Sequence, residues 1–524
     1  MRRFSIEQYS DGFAVHFTKF SFKRRESMKR VGVLFLAFVF VFCLSAIPVL
    51  AADPEVEQLK GEVQKLLKKI EDLEKKQQES DKKVESVEKV TTKIEQEEAK
   101  LKEEKKTRMI AYYRDGFFIE TTDKKFRLQM GGVLHFDTRF FESGRSATSF
   151  DVRRARYDMR GNMGYGGIEQ VFRLQIEMAD STAAVRNAYW MFKFMPELNV
   201  QIGQFKIPVG GADSLTEEAH INFIEYATDT PITPHFDRGI NIISYFMGKK
   251  VQTCLGVFNG SGNDLDNPQG DFDNDKNYAF RLMLVPFNDS ESIYIKGLHL
   301  AGSFEDGLQS NKTARGEANS RTENYESNWY RWIANRVNLD ERRRYGGELH
   351  WIIGPFSASY EFNRVEWDNV KVYNSSGVVV NHLDDTYHAD VHQVWVSYFL
   401  TGEQKTIEDV FFNWRQPKPK KNFSLKDGTW GAWEILARYA LHDTSEELFE
   451  GGSSAVLDGS NKGYSLTGGV RWTWNPKTRI LLDVNYLHSD EGKGIAVNRN
   501  NAGTSGREYK DTETAVLMRL ILSL

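Results

Sequence analysis

The stretch Val152–Arg160, reading VRRARYDMR, carries the residues best suited to chemistry in this chain. A guanidinium stays charged at any accessible pH, is weakly hydrated, and readily trades water for the oxygens of an anion. Side chains of a strand alternate between faces. That predicts Val152, Arg154, Arg156, Asp158 and Arg160 on one side, with Arg153, Ala155, Tyr157, Met159 and Met163 opposite. Carried along the chain, the same alternation turns Arg127, Arg139, Arg173, Lys193, Arg281, Arg438, Arg471 and Arg519 to the arginine side. Asp137, Glu177, Glu348, Glu434 and Asp483 join Asp158 there, so cations outnumber carboxylates. Rings of arginine or lysine are what anion-selective pores use. The alternative is that each arginine pairs with one of these carboxylates as a strut of the wall.

Other chemistries lack their residues. The eleven histidines include no HExxH pair, and neither a GxSxG turn nor a Walker loop occurs. The opposite, apolar faces offer no Ser/His pair for an interfacial lipase. Cys43 and Cys254 are the only cysteines, too few for a disulfide framework or a CxxC metal site. The expectation is no enzyme, no cofactor and no metal. A net charge of −4 gives no footprint for nucleic acid.

The elements that must position the arginines are strands. Sixteen runs, from 126–141 to 512–524, alternate in polarity and end in glycine, proline, asparagine or aspartate. Tight turns (164–167, 196–197, 248–250, 354–355, 475–477) alternate with longer loops (209–237, 261–276, 306–341, 369–387, 444–461, 491–511). Short turns on one rim and long loops on the other mark an outer-membrane barrel. The connection 402–429, with its KPKK run, breaks the rule by lying on the short-turn rim. Apolar sets such as Ile480/Leu482/Val484/Tyr486 fit a lipid-facing wall, and aromatics near strand ends (Phe140, Phe141, Tyr439, Trp472, Trp474) fit its girdles. A mean hydropathy of −0.51 is compatible, because alternating strands average out as polar.

The N-terminal fifth differs. Residues 1–52 read as an extension and secretory signal: Lys29 and Arg30, an apolar run, then small residues at Ala51-Ala52, with Met28 the expected start. Residues 53–106 are rich in Lys, Glu and Gln and carry a heptad: Val56, Val63, Ile70 and Val84 at a, Leu59, Leu66, Leu73, Val87, Ile94 and Leu101 at d. That spacing specifies a left-handed coiled coil, with a polar layer at Gln77 and Ser80. The predicted fold class is thus an all-β membrane protein, a 16-stranded antiparallel transmembrane β-barrel (107–524) preceded by an N-terminal coiled-coil helix.

Several passages resemble the phosphate-selective porin O/P family: DGFFIETTDKKFRLQMGGVLHFDTRFF (115–141), FDVRRARYDMRG (150–161), NAYWMFKFMPELNVQIGQFKIPVG (187–210), GVFNGSG (256–262), SYFLTGE (397–403) and GAWEILARY (431–439). The resemblance implies a homotrimer of barrels in the Gram-negative outer membrane, in contact with its lipid. It also implies a third long loop, here 209–237, folded into the channel as a constriction, with wall arginines guiding anions toward lysines there. This loop has no lysine or arginine; it carries Asp213, Glu217, Glu218, His220, Glu225 and Asp229, and an acidic constriction is expected to repel phosphate. Lys312, Arg315, Arg321, Arg331 and Arg336 of the loop 306–341 are expected in solvent. The function so read is an outer-membrane porin, a passive aqueous channel for small hydrophilic solutes with an anion bias. The alternative is a structural tether, its coiled coil crossing the periplasm to contact peptidoglycan.

Overall fold

The computed structural model describes residues 54–524 apart from 115, 143–147, 180–182, 228–231, 261–274, 309–319, 326, 333–336, 339–340, 375, 409–413, 452–454 and 498–507. The secretory signal, Asp229, Lys312, Arg315 and Arg336 lie outside the described residues. The chain divides into two units, 1–101 and 102–524. Within the first runs helix α1, Pro54–Thr107, which ends six residues into the second. Proline at its first position has no N–H to leave unsatisfied, and Glu55 and Glu57 complement the positive end of the helix dipole. Most of its heptad residues are open among the described residues: Leu59, Leu66, Leu73 and Ile94 are each at least half exposed.

The second unit opens with a hairpin, Met109–Tyr113 with Phe117–Thr121, paired to the start of the first barrel strand. The barrel strands are β1 (Phe126–Phe141), β2 (Ser149–Tyr165), β3 (Ile168–Glu177), β4 (Ala184–Met195), β5 (Leu198–Lys206) and β6 (Phe236–Phe246). They continue as β7 (Val251–Phe258), β8 (Asn277–Leu284), β9 (Gly297–Leu308), β10 (Glu341–Ile353) and β11 (Phe356–Tyr373). The last are β12 (Val379–Phe399), β13 (Ala432–Thr444), β14 (Leu457–Asn475), β15 (Thr478–Gly492) and β16 (Thr512–Ser523). Each pairs antiparallel with its neighbours, and β16 returns to β1 with Val516 opposite Phe140 and Leu522 opposite Leu134. Closure leaves no open edge, which any backbone crossing hydrocarbon requires.

Alternation holds along most strands. Outward apolar side chains remain exposed, among them Leu134, Phe136, Trp190, Val394, Leu482 and Met518. So continuous an apolar surface has no place in water and suits lipid. No helix among the described residues is long and apolar enough to cross a membrane.

Three sequence expectations are corrected. A β-bulge in β2 sets Arg154 opposite His135 but Val152 opposite Phe136. The extra residue, Arg153, therefore turns inward with Arg154, while Val152 joins the outer face. Segment 369–387 is largely strand: β11 and β12 stay paired out to Tyr373 and Val379, with register shifts after Asp368 and Val372. Phe141 faces in and is buried, so it belongs to no girdle; Phe140 is exposed as expected.

Candidate functional site

The segment 207–235 between β5 and β6 folds into the barrel. Its aliphatic and aromatic residues drive this, because the inner wall is not wholly polar. Ile221 and Ile224 bury against Val133, Leu481, Leu517 and Ile521, all inward-facing. Phe223 buries with Ile243, Met283 and Trp395. These inward apolar positions were the sequence signal that something must cover them, since a water-filled lumen would not favour them.

Wall arginines then hold the loop by its main chain. Arg281 donates to Gly210 O at 2.8 Å, Arg438 to Glu225 O at 3.1 Å, and Arg471 to Asn222 O at 2.5 Å. Arg479 reaches Ala219 O at 2.9 Å and Ile221 O at 3.2 Å, and Arg519 donates to Ile224 O. In return Asp483 accepts the Ile224 N–H at 2.7 Å. Arg479 follows the same parity as the other inward residues of β15 and was legible in the sequence, though missed there.

Three acidic residues of the loop, Glu217, Glu218 and Glu225, are neutralised rather than presented to solute, contrary to the sequence expectation. Glu217 pairs with Arg173 (2.5 Å), Glu218 with Arg156 (2.6 Å), and Glu225 with Arg519 (2.7 Å) and Arg153 (3.2 Å). Burial alone would raise these carboxyls, but the facing guanidiniums hold all three below the usual carboxylate range. Asp213 sits in the short helical turn Ala212–Leu215. His220 is kept neutral, at about 3, by burial and then by Arg415 and Arg479. Lys206, at the end of β5 in the GQFKIPVG passage, donates to Ser214 O and Thr216 O and lies 3.7 Å from Glu218.

The remaining predicted arginines are mostly struts as well. Arg139 pairs with Asp137 and Asp151, Arg160 with Asp158, and Arg173 also with Asp158. Arg281 pairs with Glu348, and Arg471 with Asp483. Arg127 stands apart, over the Phe118 ring of the N-terminal hairpin and 3.8 Å from Glu120. Arg154 is the exception. It is 7% exposed, and among the described residues no carboxylate lies within ion-pair distance of its guanidinium and its Nε has no acceptor. Its electrostatic neighbours are Arg153, Tyr226, Arg156 and Glu218. The buried Tyr226 hydroxyl and both ring nitrogens of His135, the cross-strand partner of Arg154, also lack partners.

Two further segments enter the lumen. The described part of the 306–341 loop does not sit in solvent: Trp329 and Tyr330 are buried, Asn324 and Ser327 donate to Glu513, and Glu323 accepts from Ser465 at 2.5 Å. Its Tyr325 ring lies under Arg153 at 4.0 Å and under Arg139 and Arg321 at 4.8 Å. The exceptional connection 400–431 comes in from the opposite rim. Lys405 bridges Glu434 and Asn222 at 2.6 Å each, and Gln416 reaches His220 O and Asn222. Trp414 is fully buried against Trp395 and His350, and its backbone N–H donates to the Thr216 hydroxyl at 3.2 Å. The loop is thus pinned from both ends of the barrel. Beneath it a cavity of about 180 Å³ is lined by residues including Asp158, Arg160, Glu217, His220 and Arg415.

A closed sixteen-strand barrel with a greasy exterior and a charged, loop-constricted interior defines a membrane channel of the outer-membrane type. Residues 96–522 match the family described as phosphate-selective porin O and P, and the chain belongs to that family. Porin O of Pseudomonas aeruginosa is 22% identical over 399 residues, covering 70% of this chain and 84% of that protein. Among solved structures, the Vibrio cholerae outer-membrane protein OmpT is similar at a TM-score of 0.46 and 9% identity, covering 76% of this chain and 98% of OmpT. An anion-selective porin from Comamonas acidovorans is similar at 0.43 and 11%, covering 76% of this chain and all of that one.

Proposed function

We propose that this outer-membrane porin is anion-biased: it passes small hydrophilic solutes passively and favours inorganic or small organic anions. The observation that carries the reading is Arg154. A buried guanidinium without a carboxylate is costly unless a mobile anion compensates it. The unpartnered Tyr226 hydroxyl and His135 ring supply hydrogen-bonding groups beside it. Glu217, Glu218 and Glu225 of the loop do not oppose this bias, because each is held by an arginine. A homotrimer with α1 in the periplasm belongs to the same reading, supported by the family resemblance and by the unpaired heptad seam of the helix.

Reconstitution into planar bilayers tests it. In asymmetric KCl the reversal potential should have the sign of preferred chloride passage, and added phosphate should reduce the chloride current. Absence of stepwise conductance would overturn the channel half, and a cation-selective reversal potential the anion half.

A further inference from the structure

The charges flanking the apolar seam of α1 select one mode of self-association. Counting the heptad from Val63 and Leu66, the positions beside the seam are Lys69, Lys76 and Lys83 at g, and Glu74, Asp81 and Glu88 at e. In a parallel, in-register coiled coil each g residue meets the e′ residue of the next heptad on the neighbouring helix. Lys69 then meets Glu74, Lys76 meets Asp81, and Lys83 meets Glu88: three consecutive opposite-charge pairs. The flanking pairs, Glu62 with Leu67 and Val90 with Glu95, bring no like charges together. An antiparallel arrangement sets g against g′ and e against e′. Superposing the polar Gln77 and Ser80 layers in that way would place Lys76 against Lys83 and Glu74 against Asp81.

We infer that the seam of α1 is a docking surface for the same helix of other copies of this chain, in parallel and in register. The seam needs an occupant, because Leu59, Leu66, Ile70, Leu73, Val84 and Val87 are about half exposed or more, covered by none of the described residues. The polar layer reinforces the choice of register, since a Gln77 layer meets its own kind only when the helices align. The inference rests on the homo-oligomeric part of the proposed function and adds helix direction and register to it.

Site-directed cross-linking of the full-length protein tests it. Under mild oxidation Leu73→Cys, at a d position, should link chain to chain, whereas Lys75→Cys, on the outer face, should not. The unsubstituted chain is the blank, its Cys254 being buried in the barrel wall. Adding Lys76→Glu and Lys83→Glu to Leu73→Cys should cut the linked fraction toward that of Lys75→Cys, and further adding Asp81→Lys and Glu88→Lys should restore it. Equal linking of Leu73→Cys and Lys75→Cys would overturn the inference. So would preferential linking of Leu73→Cys chains to co-expressed Val84→Cys chains, the antiparallel signature. Bilayer conductance of the same preparations separates the two readings, because a pore that conducts while the seam fails to link rejects this inference alone.

Discussion

Replacing Arg154 by methionine removes a buried wall guanidinium that has neither a carboxylate nor a hydrogen-bond acceptor among the described residues, while keeping a flexible side chain of similar reach. An anion about 4 Å from such a charge gains about 1 kcal/mol in bulk water and about 4 kcal/mol at an effective dielectric of 20. The lumen lies between those limits, and even the lower one corresponds to about a fivefold change in the chloride-to-potassium permeability ratio. The same substitution should not destabilise the barrel. Desolvating an ion costs several kcal/mol, and for Arg154 no ion pair among the described residues offsets it. Arg156→Met is the counterpart: it strands Glu177 and Glu218 and should cost about 3–5 kcal/mol. Reversal potentials in asymmetric KCl give the first quantity, and thermal midpoints of the detergent-solubilised barrel the second. If Arg154→Met melted as low as Arg156→Met and left the permeability ratio unchanged, Arg154 would be another strut and the reasoning would fail.

Three further outcomes are expected. Trp414→Ala should cost about 3–5 kcal/mol and raise single-channel conductance, because the buried indole anchors the inward turn beneath the constriction. Gly210→Ala should lower the thermal midpoint and add noise to the open current: the residue has φ +93, an added Cβ would lie 2.6 Å from Thr233, and a left-handed backbone costs a residue with a side chain about 1–2 kcal/mol. The stability due to His220 should be fully present above its unfolded value of about 6.5 and decline, by at most about 1.4 kcal/mol per pH unit, as pH falls toward about 3. Arg415, Arg479, Glu217 and Arg160 are the charges that act on this ring. Since Glu217, Glu218 and Glu225 begin to contribute only as pH falls toward their unfolded value of about 4.5, His220→Asn should reduce the slope of the melting profile between about pH 6 and pH 5.

The strands were legible because each carries its own signal. Alternation at period two, bounded by turn residues, located all sixteen; the pairing of β16 with β1, with Val516–Leu522 facing out beside Leu134–Phe140, came from the structure. Alternation failed at Arg153, where one extra residue shifts the face and nothing local announces a bulge. The filling of the lumen was legible only in outline. Most of the arginines that parity turns inward are buried, yet whether a guanidinium faces solute or a carboxylate depends on partners such as Glu225 and Arg519, separated by nearly 300 residues. The apolar residues among the inward set, Leu481, Leu517 and Ile521, were the clue that a loop must lie on them.

Most of the arginines that reach the constriction grip peptide oxygens, which every residue type supplies alike. Substituting side chains on the tip of 207–235 should therefore leave its path across the channel largely intact while changing what lines the passage. A scaffold built this way can acquire a new preference among solutes by a few point changes in one loop, without rebuilding the sheet around it.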